Sequence, residues 1–135
     1  MTRSAPRWLS KTFVLAIHAR LLAEHGGAVG VRDEGLLESA LDSPRNRFEH
    51  GEGDVFQLAA AYAFAITSNH PFADGNKRVA FAAAGIFLEL NGHRLIASEV
   101  DAVAAVVALS RSDMSDVEFS DWLRMNSEPN GASAP

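Results

Sequence analysis

Between Asn69 and Val79 the chain reads His70-Pro71-Phe72-Ala73-Asp74-Gly75-Asn76-Lys77-Arg78. An imidazole, a carboxylate, a carboxamide, an ammonium and a guanidinium fall within one short run. Together they suit the movement of a phosphate-containing group. An imidazole titrates near neutrality, so His70 can take a proton from a hydroxyl. Lys77 supplies a compact charge, and Arg78 supplies a planar fork that matches phosphate oxygens. Asp74 suits a hard cation such as magnesium, which favours carboxylate and phosphate oxygens. Gly75 lets the backbone approach a ligand closely. Phosphoryl transfer asks for little beyond positioning, charge neutralisation and a base.

Each residue also has a plain structural reading when taken singly. Asp74 can cap a helix, His70 can end one, Asn76 can mark a turn, and Lys77 and Arg78 can be solvated charges. None of these readings explains why the five converge.

The elements around the run explain how it is positioned. Val55, Phe56, Leu58, Ala59, Ala60, Ala61, Tyr62, Phe64 and Ile66 cover most of a helical circumference, starting at Asp54 or a neighbour. A helix apolar nearly all round is a buried helix. Pro71 ends it. Asn76 or Lys77 opens a second such helix, carrying Val79, Phe81, Ile86, Phe87, Leu88 and Leu90 to about Asn91-Gly92. The unusual residues thus sit on the tight connection of a buried hairpin. They straddle a helix start, where unpaired N–H groups and a partial positive charge make a natural anion cradle. Phe72 is expected to point into the core and pin the loop.

Four further helices are predicted. Ser10 caps the first, with Phe13, Val14, Ile17, Leu21 and Leu22 at helical spacing as far as His25, where Gly26-Gly27 stops it. Asp33 caps a short one that ends at Ser43-Pro44. Ser98 caps another, and the last spans Asp116 to Met125. Residues 28–32 and 45–53 read as loops. Arg94-Leu95-Ile96 can be extended, with no convincing strand elsewhere. The expectation is an all-α fold of about six helices over residues 1–126, with a disordered tail over 127–135.

Composition narrows the function. At 135 residues the chain suits one domain with its own core. It has no cysteine, which excludes disulfides and thiolate zinc sites. Its net charge of −5 argues against a general grip on nucleic-acid phosphates. Met1 to Arg7 lacks the apolar core of a signal peptide, and the longest uncharged stretch, residues 55–73, is interrupted by polar residues. No membrane span and a cytoplasmic location are expected. No histidine pair has the spacing of a helical metal site. There is no Gly-x-x-x-x-Gly-Lys loop, no Gly-x-Gly-x-x-Gly and no Gly-x-Ser-x-Gly elbow. His18 lies on the first helix and reads as structural.

The nine-residue run resembles the signature of the Fic/Doc superfamily, His-x-Phe-x-Asp/Glu-Gly-Asn-Gly-Arg with a second arginine three positions on. It resembles the Doc (death-on-curing) branch in particular, which has lysine in place of the last glycine. Lys77 occupies that place, and Phe81 stands where Fic enzymes carry the second arginine. The stretch from Gly26-Gly27 through Gly30-Val31-Arg32-Asp33 to Leu36-Leu37-Glu38-Ser39-Ala40-Leu41 and Pro44 also looks like the Doc family. The resemblance covers roughly residues 8–126.

It implies a compact all-α domain with the motif between two central helices. His70 would be the general base, Asp74 would engage magnesium, and Gly75, Asn76, Lys77, Arg78 and the adjoining amides would hold the nucleotide. A flap over the substrate would fall in the 45–53 loop. Fic enzymes usually transfer AMP, whereas Doc-type toxins transfer the terminal phosphate of ATP to a threonine of elongation factor Tu and stop translation. Lys77 and the missing second arginine favour phosphate transfer. AMP transfer by the same site and a non-catalytic, antitoxin-bound corepressor are the alternatives. No glutamate has Ser or Thr four residues before it, so the inhibitory Ser/Thr-x-x-x-Glu stretch of many Fic proteins is absent from the sequence. The resemblance accordingly implies restraint by a separate Phd-type antitoxin.

Overall fold

Two helices lie back to back at the centre of the molecule, and the alanines along them bring their backbones close. The structure, a computed structural model, describes residues 4–131. Helix α1 spans Lys11–His25, α2 Glu34–Glu49, α3 Val55–Asn69 and α4 Asn76–Leu90. Strand β1 (His93–Leu95), α5 (Glu99–Ser110), α6 (Asp116–Met125) and β2 (Ser127–Pro129) follow.

On α3, Leu58, Ala59, Ala60, Ala61, Tyr62, Ala63 and Ile66 are fully enclosed; on α4 so are Val79, Ala80, Ala83, Ala84, Phe87 and Leu88. Small side chains at facing positions allow the shorter end of the usual interaxial distance. Packing against α2, α4 and α6 surrounds α3. The large side chains, such as Phe87, Phe119 and Leu37, each contribute roughly 1.5–3 kcal/mol of burial. This scaffold holds the α3–α4 connection rigidly at one end of the hairpin.

The capping residues are those read from the sequence. Ser10 accepts from the Phe13 N–H, Asp33 from Leu36, Asp54 from Phe56 and Ser98 from Asp101. Ser115 and Glu118 add a reciprocal capping box on α6. Among the described residues, no helix is long and apolar enough to cross a membrane.

Three expectations are corrected. Helix α2 does not end at Ser43-Pro44 but continues through a buried Pro44 to Glu49. An interior proline costs about 3 kcal/mol. Tertiary contacts beyond it offset that cost: Phe48 packs edge-on to Trp8 at 5.7 Å, and Arg47 pairs with Asp116 at 2.9 Å. The expected 45–53 loop therefore shrinks to residues 50–54. Lastly, the expected disordered tail begins with β2, which runs antiparallel to β1 with Arg94 opposite Glu128. Asn130 anchors it by donating to the carbonyls of Glu89 and His93. Residues 132–135 of that tail, and residues 1–3 of the N-terminal segment, lie outside the described residues.

Candidate functional site

Pro71 has no N–H with which to continue α3, and the chain turns at His70. His70 caps the helix in a left-handed conformation, φ 49° and ψ 56°, with its N–H on the Ile66 carbonyl. Its imidazole is exposed and has no hydrogen-bond partner among the described residues. Pro71 and Phe72 then dive into the core, while Ala73 and Asp74 return to the surface.

Gly75, at φ 82°, opens α4 with no side-chain cap. The first helical bond of α4 is from the Val79 N–H to the Gly75 carbonyl, at 3.0 Å. The N–H groups of Asn76, Lys77 and Arg78 are left without an acceptor among the described residues. The Lys77 and Arg78 side chains are exposed and pair with no carboxylate there. Three unpaired donors, a helix N-terminus and two free cations form one positive mouth, suited to a phosphate chain.

The loop is tied from three sides. Asn76 reaches back to Phe72: its Oδ1 accepts the Phe72 N–H and its Nδ2 donates to the Phe72 carbonyl, both at 3.0 Å. The Phe72 ring stacks on His18 at 3.9 Å and 16°. His18 Nε2 lies 2.9 Å from the Asp74 carbonyl, which can only accept, so that nitrogen carries the proton. The third tie is the segment between α1 and α2. Val31 forms a bridge with Phe72, Ala73 donates to the Gly30 carbonyl, and the Arg32 and Asp33 N–H groups share the Pro71 carbonyl. The Arg32 guanidinium also donates to the carbonyls of Asn69 and His70.

The structure brings His70, Asp74, Gly75, Lys77 and Arg78 onto this one loop and helix start. Asn76 is there too, with both its Oδ1 and its Nδ2 bonded to the Phe72 backbone, so that it shapes the cradle from behind. Asp74 does not cap α4: its Oδ1 accepts the Gly75 N–H at 2.9 Å and its Oδ2 the Ala28 N–H at 3.3 Å. No group of three His, Cys, Asp or Glu that could hold a metal occurs among the described residues. The donor set nonetheless fits magnesium, which commonly takes one or two carboxylates and fills its remaining positions with waters and nucleotide phosphates. Asp74 is an exposed hard-oxygen donor with lone pairs to spare.

The 45–53 segment does not flank the motif. Residues up to 49 belong to α2, and Arg47 faces the start of α6. Residues 28–33 occupy the place beside the motif instead. His18 and Arg32 are the two residues whose part in the site went unassigned in the sequence. A polar group four residues after Val14 on the buried face of α1 is a signal that it has a partner inside. Arg32 carries no such signal, because its acceptors lie 37 and 38 residues away.

Three comparisons bear on this arrangement. The model of the "Fic/DOC family" matches residues 8–88. "Protein kinase doc" of Escherichia phage P1 is 30% identical over 119 residues, which is 87% of this chain and 94% of the relative. "Toxin Doc" of Mycolicibacterium smegmatis (strain ATCC 700084 / mc(2)155) is 40% identical over 74 residues, 53% of this chain and 57% of the relative.

Proposed function

The chain belongs to the Fic/DOC family, in its Doc-type branch, and on that premise we propose that it is a toxin that transfers the terminal phosphate of ATP to a protein hydroxyl. The observation that carries this reading is the mouth of α4: three N–H groups unpaired among the described residues, flanked by Lys77 and Arg78, one loop away from an exposed imidazole that has no partner there either.

In this reading the acceptor hydroxyl gives its proton to His70. Its oxygen forms a bond to the γ-phosphorus while the bond from that phosphorus to the β,γ-bridging oxygen breaks, and ADP leaves. Gly75, Lys77, Arg78 and the first amides of α4 hold the phosphates and neutralise the charge that develops. Asn76 keeps those amides in place through Phe72. Asp74 would hold magnesium, which when bound neutralises phosphate charge. Phosphate transfer is favoured over AMP transfer by Lys77 and by Phe81, an apolar side chain packed against the core where Fic enzymes carry a second arginine. The name of the phage relative, a protein kinase, agrees. The acceptor in this reading is a threonine of elongation factor Tu, whose modification arrests translation, and a Phd-type antitoxin restrains the toxin.

The test is a bacterial lysate supplied with ATP labelled on either the α or the γ phosphate. Transfer of γ label alone is expected. Transfer of α label would mean AMP transfer, and nucleotide binding without transfer would mean a non-catalytic role. His70→Ala should lower transfer by a factor of about 10² or more, as for a lost general base. A His70→Ala protein that labels its target as well as the parent does removes His70 from the mechanism.

A further inference from the structure

We propose that Arg32 is a positioning residue for His70, holding the end of α3 in the left-handed conformation from which the imidazole projects; the inference rests on the reading of His70 as the base. Three successive carbonyls, those of Asn69, His70 and Pro71, accept hydrogen bonds from Arg32 alone or in part. Nη2 donates to the first at 2.8 Å, Nε to the second at 2.7 Å, and the backbone N–H to the third at 2.7 Å. The first two are terminal carbonyls with no helical N–H to receive, at the negative end of the α3 dipole, where a cation is favoured.

His70 needs such a hold. At φ 49° and ψ 56° it occupies a region that residues with a side chain seldom visit, and a residue before proline ordinarily goes to the extended region. Strained conformations of this kind persist only where the surroundings over-determine them. The ψ angle of His70 fixes where its carbonyl points, and that carbonyl is the one Nε grips. Arg32 is itself held, because Val31 bridges Phe72 and Asp33 caps α2. It is exposed, and among the described residues it pairs with no carboxylate, so neither core packing nor an ion pair accounts for its geometry. A lysine could place one point charge there but not two fixed in-plane donors.

The experiment compares Arg32→Ala and Arg32→Lys with the parent chain by two readouts. One is the ¹³Cα and ¹³Cβ chemical shifts of His70, expected to leave left-handed values in both variants. The other is γ-phosphate transfer. There kcat should fall roughly 10–100-fold, as for a reacting group displaced by a fraction of an ångström to an ångström, while KM for ATP stays within about twofold because the cradle does not touch Arg32. Free guanidinium at millimolar concentration should restore part of kcat to Arg32→Ala and none to Arg32→Lys.

Unchanged His70 shifts and unchanged kcat overturn the proposal, as does a loss of kcat that tracks KM or melting temperature. If Arg32→Ala does not fold, Arg32→Lys decides: native His70 shifts with full turnover overturn the role of the fork. If the parent transfers no phosphate, the functional reading fails on its own, and the His70 shifts alone decide the part played by Arg32.

Discussion

Alanine and aspartate at position 76 should rank stability and nucleotide grip in opposite orders. Asn76 sits at the first helical position of α4 and closes the loop with two bonds to Phe72, each 3.0 Å. Asn76→Ala removes both and leaves a half-buried N–H and C=O unpaired. With roughly 0.5–1.5 kcal/mol for each neutral bond and about 1–3 for an orphaned buried group, the loss comes to about 2–3 kcal/mol. For a chain of this length, the unfolding entropy converts that into a fall of ~7–10 °C in Tm. Asn76→Asp keeps an acceptor for the Phe72 N–H, and its charge gains roughly 0.3–1 kcal/mol from the helix N-terminus. It loses the donor and sets a carboxylate oxygen against the Phe72 carbonyl. The net loss should be near 1 kcal/mol, or ~3–4 °C.

For nucleotide the order reverses. Asn76→Ala leaves the charge of the cradle untouched and should weaken ATP binding only a few-fold. Asn76→Asp brings a negative charge to roughly 6 Å from a phosphate held on the Asn76–Arg78 amides, and at an effective dielectric of about 20–40 that costs about 1.4–2.8 kcal/mol, or ~10–100-fold in Kd. Thermal melts and calorimetric titration with Mg·ATP give both rankings. An Asn76→Ala protein as stable as its parent would show that the tie to Phe72 does not close the loop. An Asn76→Asp protein that binds ATP as well as Asn76→Ala would place the phosphates somewhere other than the first turn of α4.

Two further substitutions test the supports around the loop. Gly27 sits at φ 126°, and a Cβ there would lie 2.8 Å from Asp74 Oδ2, so Gly27→Ala should displace the Asp74 carboxylate. The expected result is a stability loss of about 1–2 kcal/mol with a several-fold higher magnesium requirement for transfer, and an unchanged magnesium titration would separate Asp74 from the metal. Tyr62 is buried, and its hydroxyl accepts the Leu9 N–H at 3.1 Å, so Tyr62→Phe should lose about 1–3 kcal/mol in urea melts at pH 7. Burial raises the Tyr62 phenol above its ordinary value of 10.0, partly opposed by that hydrogen bond. The folded state therefore holds the proton more tightly than the unfolded chain. The Tyr62 contribution is whole below pH 10 and is lost as pH climbs through the raised folded value. Tyr62→Phe should remove this part of the alkaline destabilisation, and equal slopes above pH 10 for both proteins would contradict it.

The helices were legible because their signals are local. Ser10, Asp33, Asp54 and Ser98 each lie within three residues of the N–H they satisfy. The all-round apolar patterns of α3 and α4 require burial wherever the chain takes them. Pro44 misled because a local rule met a distant compensation: Phe48 on Trp8 and Arg47 on Asp116 lie 40 and 69 positions apart in sequence, and no window contains both partners. The same distance hid β2, whose partner strand lies more than 30 residues earlier. At the site, residue types and spacing were enough to expect His70, Asp74, Lys77 and Arg78 on one loop and helix start, where the structure puts them, but not to give the orientation of Asn76. An amide in a cationic run can face a ligand or its own backbone, and only the position of Phe72 selects between them.

That selection separates two jobs within one short segment. The groups that fix the loop, Phe72, Asn76 and the backbone of residues 69–74, point inward or sideways and have partners. The groups left for a phosphate, the exposed His70 imidazole, the two exposed cations and the first N–H groups of α4, have none among the described residues. If the second set also held the loop together, binding an anion would break ties as fast as it made new ones. Because the ties leave the phosphate-facing donors unused, those donors can stand in place before a phosphate arrives, which is the condition under which fixed dipoles stabilise developing charge without reorganising; only the Asp74 carboxylate, tied to Gly75 and Ala28, would both hold the loop and meet a metal. Two adjacent cations at a positive helix end repel each other, and the inward ties hold them there despite that repulsion. In the proposed transfer the rigidity that looks like ordinary loop packing is therefore a requirement of the chemistry, and its weakest member should be the strained His70, whose backbone ends α3 in a left-handed turn while its imidazole faces outward.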